Sequence, residues 1–233
     1  MKEKVKRIIT IEDLGDGAKC ANAVINAMYE EDQGANVYSG WKYACLRKEF
    51  LESKPSVFRE HVANVIIMFG GTDPSNYNKM LYKVIEEIGN KYVGINFNFI
   101  TGFGYDAEGN DIVTCEEKNI YVYSNVDKVS EYMKEADIAI TSQGRTIFEL
   151  AAMGVPSIVL SQNEREQTHT FAQMDHGFLN LGLKDVSADL VKNTLDWLIN
   201  TPPIRRNMYD LMTCLPIREG VTRVKSIILN EDE

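Results

Sequence analysis

Residues 136–167, ADIAITSQGRTIFELAAMGVPSIVLSQNEREQ, constrain the fold of this 233-residue chain more than any other stretch. Two short apolar runs, 138–140 and 157–160, bracket a polar turn and a segment long enough for a short helix. Gly144, Arg145 and Thr146 open that segment. Gly154 followed by Pro156 closes it, because glycine takes the left-handed turn that ends a helix and proline cannot continue one. Strand, polar loop, helix and strand make a parallel βαβ unit, whose ligands sit where loops leave the carboxyl ends of strands. Ser142, Gln143, Gly144, Arg145 and Thr146 fall at that edge.

The same alternation extends on both sides. Residues 65–69 are a continuous apolar run, as expected of a strand buried on both faces. Residues 78–88 place Met80, Leu81, Val84, Ile85 and Ile88 on one helical face. Strands are expected at 96–100 and 120–123, separated by a polar loop over 101–118, and a helix at 126–135. After residue 160 a helix near 164–174, a strand at 178–181 and helices near 188–199 and 204–214 follow, with a last amphipathic stretch at 221–229. This pattern predicts an α/β fold with a Rossmann-like, doubly wound parallel sheet.

The first 54 residues fit less easily. Runs at 8–11 and 23–25 read as strands, 29–40 as loop and 46–53 as helix, with residues 53–55 the expected linker. Two strands are too small a core for an independent domain, so this part either packs on the main domain or is the end of a larger one. Residues 1–54 and 55–233 are therefore expected as two units.

Composition excludes several classes of function. With 25 Lys and Arg against 34 Asp and Glu, the net charge is −9, the reverse of the basic footprint of a nucleic-acid binder. Cys20, Cys45, Cys115 and Cys214 lack the paired spacing of zinc ligands, so no metal is expected and the thiols read as free in a reducing cytoplasm. No apolar run reaches the ~20 residues of a membrane span, and the first ten residues lack the apolar stretch of a signal peptide. A cytoplasmic location is expected, and nothing calls for a cofactor.

Three loops carry the candidate chemistry. Gly70, Gly71, Thr72, Asp73 and Pro74 follow the 65–69 strand, where glycines let backbone approach a ligand and helix N–H groups meet phosphate. The structural alternative is an ordinary helix start, with Asp73 as N-cap and Pro74 in the first helical position. In the second loop, Gly144 allows close approach, Arg145 offers a phosphate-matching fork and Thr146 a hydroxyl. Glu149, one turn on, suits the two hydroxyls of a ribose; equally, Thr146-x-x-Glu149 is a capping box. The third loop holds Gln162, Asn163, Glu164, Glu166 and Gln167, whose amides suit sugar hydroxyls, although Asn163 and Glu166 also fit a capping pattern. His169 and His176 read as structural groups, and His61 sits among charged residues. Glu12 and Asp13, as neighbours in extended chain, are expected to face opposite ways. No pair of catalytic acids stands out, so catalytic residues stay unassigned.

Taken in order, Ile11-Glu12-Asp13-Leu14, Gly40-Trp41-Lys42-Tyr43, Leu46-Arg47-Lys48-Glu49-Phe50, residues 69–74 and residues 136–167 resemble a known family. It is the family of the hydrolase that releases diacetamido-trideoxy-altrose from UDP in pseudaminic acid synthesis, with the related spore-coat polysaccharide proteins. The last stretch is more distantly similar to the nucleotide-sugar site of the peptidoglycan N-acetylglucosaminyltransferase. The resemblance implies the C-terminal half of a GT-B architecture, with a remnant of the N-terminal domain. It implies UDP-sugar as the ligand, with Gly70, Gly71, Thr72, Gly144, Arg145 and Thr146 at the diphosphate, Glu149 at the ribose, and Asn163 and Gln167 at the sugar. Arg145 stands where the family usually has a small residue. The family's glycine-rich segment ending in a catalytic histidine has no counterpart before Ile8.

The expected function is the UDP-sugar-binding part of a nucleotide-sugar hydrolase in nonulosonic or surface polysaccharide synthesis. The alternatives are a glycosyltransferase acting on a UDP-sugar, and a non-catalytic C-terminal module of a fused, cytidylyltransferase-type enzyme. A homodimer or an N-terminal domain is the expected protein partner, with the 221–229 stretch forming a dimer contact or lying disordered.

Overall fold

The computed structural model describes residues 6–30, 34–184 and 186–230. A parallel three-stranded sheet of β1 (Ile9–Ile11), β2 (Ala23–Asn26) and β3 (Val37–Ser39), in that order, leads the chain. A short helix α1 (Lys48–Glu52) follows. The rest is built on a parallel six-stranded sheet of β4 (Asn64–Met68), β5 (Asn96–Thr101), β6 (Ile120–Ser124), β7 (Ile138–Ser142), β8 (Ser157–Leu160) and β9 (Phe178–Asn180). Its spatial order is β6-β5-β4-β7-β8-β9. The strand order reverses between β4 and β7, at the position where open α/β sheets bind ligands.

Both faces of the large sheet are covered, which explains why its central strands are apolar on both sides. On one face α2 (Tyr77–Ile88) and α6 (Ala188–Asn200) pack with Met208 of α7 (Pro202–Thr213) against Val65, Ile67, Phe97, Ile138 and Ile158. On the other, α3 (Val129–Glu135) and α4 (Thr146–Met153) bury Met133, Ile147, Phe148 and Leu150. This second cluster also takes in Met28, Tyr29, Leu46 and Phe50, so the segment after β2 and the α1 region share a core with the large sheet. Phe50 is fully buried, and burying a side chain of that size stabilises by ~1.5–3 kcal/mol.

Several sequence expectations need correction. Residues 29–40 are not all loop: 37–39 form β3, a three-residue strand hidden by its polar, Gly-containing surroundings, while 31–33 lie outside the described residues. The helix expected over 164–174 is the single turn α5 (Glu164–Gln167), followed separately by a 3-10 turn at Met174–His176. The 221–229 stretch, expected to be a dimer contact or disordered, is not disordered: it forms a helix, α8 (Gly220–Leu229). Its start docks on the small sheet's side of the molecule, where Arg223 donates to the Lys42 carbonyl at 3.1 Å; Ile228 and Leu229 at its end stay exposed. No helix among the described residues is long and apolar enough to cross a membrane. The four cysteines carry no disulfide.

Gly220 is where α8 meets that side most closely: a Cβ there would lie 2.0 Å from the Ala44 carbonyl oxygen. Backbone on both sides must shift to admit it. Gly220→Ala is expected to cost about 1–3 kcal/mol, read as a lower urea midpoint; an unchanged midpoint would mean that α8 does not dock there.

Candidate functional site

The site is set by register. In the β4–β7 pair Met68 is level with Thr141, and in β7–β8 Ser142 is level with Leu160. The loops that leave these strands therefore emerge side by side at one edge. Gly70 takes φ +72, the left-handed region that favours glycine. A Cβ on Gly70 or Gly71 would meet nothing within 4 Å, so the backbone there faces open space. Next to it, α4 starts at Thr146 with Arg145 as N-cap and no side chain capping it. An uncapped helix start beside exposed glycine backbone is a setting for an anion.

The two helix starts differ. Asp73 is buried, and its carboxylate accepts from the Tyr77 and Asn78 N–H groups at 3.0 and 2.7 Å. It caps α2, yet Pro74 is not the first helical residue: the helix begins three residues later, after Asn76 in left-handed backbone. The start of α2 is thus occupied by its own chain, whereas the start of α4 has no side-chain cap. Burial pushes the Asp73 carboxyl up, against the pull of those N–H groups.

Two residues that sequence reasoning missed hold the Gly70–Thr72 backbone in place. A Cβ on Gly102 would lie 2.5 Å from the Gly71 Cα, and one on Gly104 would lie 2.7 Å from the Thr72 Cγ2. Gly104 N–H also donates to the Gly71 carbonyl at 2.9 Å. The Gly-x-Gly after the β5 run was the available signal.

Charged groups bridge the two sheets at this edge. Arg145 lies 3.4 Å from Glu12. Glu12 leaves β1 in left-handed backbone (φ +55), so it is not the extended residue expected. Its Oε1 accepts from the Ala27 N–H at 3.0 Å, while Oε2 is buried without a partner. Arg165 donates to the Tyr29 hydroxyl at 3.1 Å. Glu149 does not complete a capping box: its Oε1 accepts from Arg47 Nε at 2.8 Å. Arg47 also pairs with Glu49, which accepts from Ser130 N–H at the start of α3.

The β8 side is largely self-contained. Gln143 is buried; its Oε1 accepts from Ser161 and Asn180, and its Nε2 donates to the His169 carbonyl. It ties the loops together rather than facing solvent. Asn163 caps α5 through the Glu166 N–H, and the Glu166 carboxylate accepts from Gln162 and Gln143 N–H groups, which completes the expected capping pattern one residue displaced. Gln167 is exposed on α5. His169 and His176 are bonded through Nδ1 to the Gln143 and Phe171 carbonyls. Among the described residues no group of three His, Cys, Asp or Glu is placed to hold a metal ion.

Burial lifts the Glu149 carboxyl above the usual range, and Arg47 opposes this. A carboxyl raised in the folded state contributes stability below its unfolded pKa, about 4.3 for glutamate, and loses it as pH rises through the folded value. Without Arg47, burial acts unopposed. Arg47→Ala is expected to cost about 1–2 kcal/mol at neutral pH and clearly less near pH ~4, with Glu149→Gln added to it recovering part of the loss. Urea unfolding at the two pH values checks this; a pH-independent loss would contradict it.

Comparison with known proteins agrees with this architecture. Residues 65–196 match the glycosyltransferase family 28 C-terminal domain. Over 186 residues the chain is 33% identical to an uncharacterised protein of Methanocaldococcus jannaschii, covering 72% of this chain and 38% of that protein. It is 24% identical over 240 residues to the spore coat polysaccharide biosynthesis protein SpsG of Bacillus subtilis, covering 96% and 69%. It is also 24% identical over 203 residues to the pseudaminic acid cytidylyltransferase and UDP-2,4-diacetamido-2,4,6-trideoxy-beta-L-altropyranose hydrolase of Helicobacter pylori, covering 81% and 36%. Among solved structures, Acinetobacter baumannii MurG superposes with a TM-score of 0.59 at 16% identity, over 96% of this chain and 66% of that one. A Staphylococcus aureus TarM variant solved with UDP gives 0.59 at 13% identity, over 92% and 44%. With its α/β parallel sheets, its GT-B neighbours and a match over most of the large sheet, the chain belongs to the glycosyltransferase family 28 C-terminal domain family.

Proposed function

We propose that the carboxyl edge of the six-stranded sheet binds the diphosphate of a UDP-sugar. On this reading the chain is the UDP-sugar-binding part of a nucleotide-sugar hydrolase in nonulosonic or surface polysaccharide synthesis. The observation that carries it is the pairing of open Gly70–Gly71 backbone with the uncapped start of α4, topped by Arg145. Relatives named for spore coat polysaccharide synthesis and for hydrolysis of a UDP-linked diacetamido sugar support the choice of ligand and reaction. Residues 1–54 are then the end of an N-terminal GT-B domain, and residues 55–233 the nucleotide-sugar domain.

In this arrangement Gly70, Gly71, Thr72, Gly144 and Thr146 surround the diphosphate, and Arg145 turns from Glu12 to a phosphate oxygen. Glu149 keeps Arg47 on Oε1 and offers its other oxygen to the ribose, while Asn163 and Gln167 reach the sugar from the β8 side. Asp73 and Gln143 act at one remove, by shaping the loops. Water attacks the sugar, the bond to the UDP oxygen breaks, and the charge that develops on departing UDP is stabilised by Arg145 and the α4 N-terminus. Glycosyl transfer, with a sugar hydroxyl in place of water, is the second reading, favoured by the family 28 match itself.

Calorimetry with UDP and with ADP tests the site. UDP is expected to bind more tightly than ADP, and Arg145→Ala to weaken UDP about tenfold, the equivalent of one charge-assisted phosphate contact. ADP binding with no UDP binding would overturn the assignment. Product analysis with a UDP-diacetamido sugar, with and without an acceptor sugar, separates hydrolysis from transfer.

A further inference from the structure

At the start of α4 the Arg145 guanidinium lies 3.4 Å from Glu12, at the carboxyl end of β1. The two partners are held very differently. Glu12 N–H donates to the Ile25 carbonyl at 2.9 Å, and its Oε1 accepts from the Ala27 N–H at 3.0 Å, so the residue clamps the end of β1 to the segment after β2. That segment is tied to the large sheet: Thr170 N–H donates to the Met28 carbonyl at 3.2 Å, and Met28 and Tyr29 are buried in the shared core. Glu12 also holds left-handed backbone, φ +55, which a residue with a side chain keeps only where its surroundings fix it. Its side chain is 14% exposed, that of Arg145 56%. The carboxylate is anchored, and the guanidinium is the partner free to move.

The pairing is incomplete. At 3.4 Å it exceeds the ~3.2 Å limit of a good N–H···O bond. Oε2 is buried with no hydrogen-bond partner among the described residues, and a buried acceptor without a donor is costly. A neutral amide at position 12 would serve the Ala27 N–H as well, so fold stability does not account for the charge. What the charge does is place a counter-ion on the cation beside the Gly70–Gly71 backbone. Arg165, which donates to the Tyr29 hydroxyl at 3.1 Å, also senses Glu12, so a second cation stays in reach when Arg145 turns away.

We propose that Glu12 is a positioning residue that acts through Arg145: it holds the guanidinium at the site before ligand arrives and competes with the diphosphate for it afterwards. The inference rests on the diphosphate reading above and adds the residue that limits how tightly the site holds its product. As UDP leaves, the carboxylate retakes the cation. A half-exposed ion pair contributes little, so the competition is modest, and it is felt only by ligands that carry phosphate.

Calorimetry on the full chain, with UDP and with uridine, tests this in the parent, Glu12→Gln, Arg145→Ala and the double variant. Glu12→Gln keeps an acceptor for the Ala27 N–H. It is expected to tighten UDP about fivefold, to leave uridine unchanged, and to have no effect on UDP once Arg145 is replaced by alanine. Unchanged or weaker UDP binding in Glu12→Gln overturns the proposal. So does an equal gain in the Arg145→Ala background, which would mean that the carboxylate repels phosphate directly. If circular dichroism shows Glu12→Gln unfolded, the Ala27 amide resonance decides instead. It is expected to shift at saturating UDP in the parent, as Arg145 leaves Oε1, and to stay in place at saturating UDP in Arg145→Ala; no shift in the parent, or the same shift in both, overturns the proposal. Parent protein that binds no UDP removes the diphosphate site and the role of Glu12 with it, a failure distinct from that of Glu12→Gln alone.

Discussion

Everything at the candidate site depends on how β4 and β7 pair. They are neighbours at the centre of the sheet although β5 and β6 intervene in sequence, and Met68 is level with Thr141. That register brings the exposed glycine backbone after β4 beside the start of α4. A slip of one residue would turn every side chain on β7 to the opposite face, exchanging Ile138 and Ile140, buried under α2 and α6, with Ala139, buried under α3 and α4. The hydrophobic pattern that builds the core also positions the loops.

The polar residues near the edge divide into those already engaged and those left over. Asp73 caps α2, Gln143 and Asn163 hold loops together, and Glu149 has the Arg47 cation just before α1. What remains open is backbone at Gly70 and Gly71, the α4 start and the half-exposed Arg145 side chain. Such a set suits an anion with several acceptor oxygens, which N–H groups and a guanidinium can meet. Arg145 pairs with Glu12 at 3.4 Å while staying half exposed, so an incoming phosphate exchanges one anion for another.

The large sheet was legible in the sequence because its strands are short apolar runs and its helices are strongly periodic or closed by clear stops. Gly154, in left-handed backbone at the end of α4, is the plainest of these. The small sheet was harder: β3 is three half-buried residues, Val37–Ser39, with no alternation long enough to read. Side-chain partners were harder still. Thr146-x-x-Glu149 satisfied a capping pattern, yet Glu149 turns to Arg47, 102 residues away in sequence, and spacing along one helix carries no trace of that contact. Gly102 and Gly104 lay in a stretch read only as polar loop, although their crowding against Gly71 and Thr72 makes them part of the site.

On the reading proposed above, ligand binds at the carboxyl edge of the six-stranded sheet, across the β4 and β7 loops. Amide NMR shifts on titrating UDP into the protein test it most directly. The largest changes are expected on Gly70, Gly71, Gly144 and Thr146, with smaller ones on Gly102 and Gly104 and none at the opposite edge, at Asn64 or Asn96. Changes confined to the small sheet or to that opposite edge would contradict it.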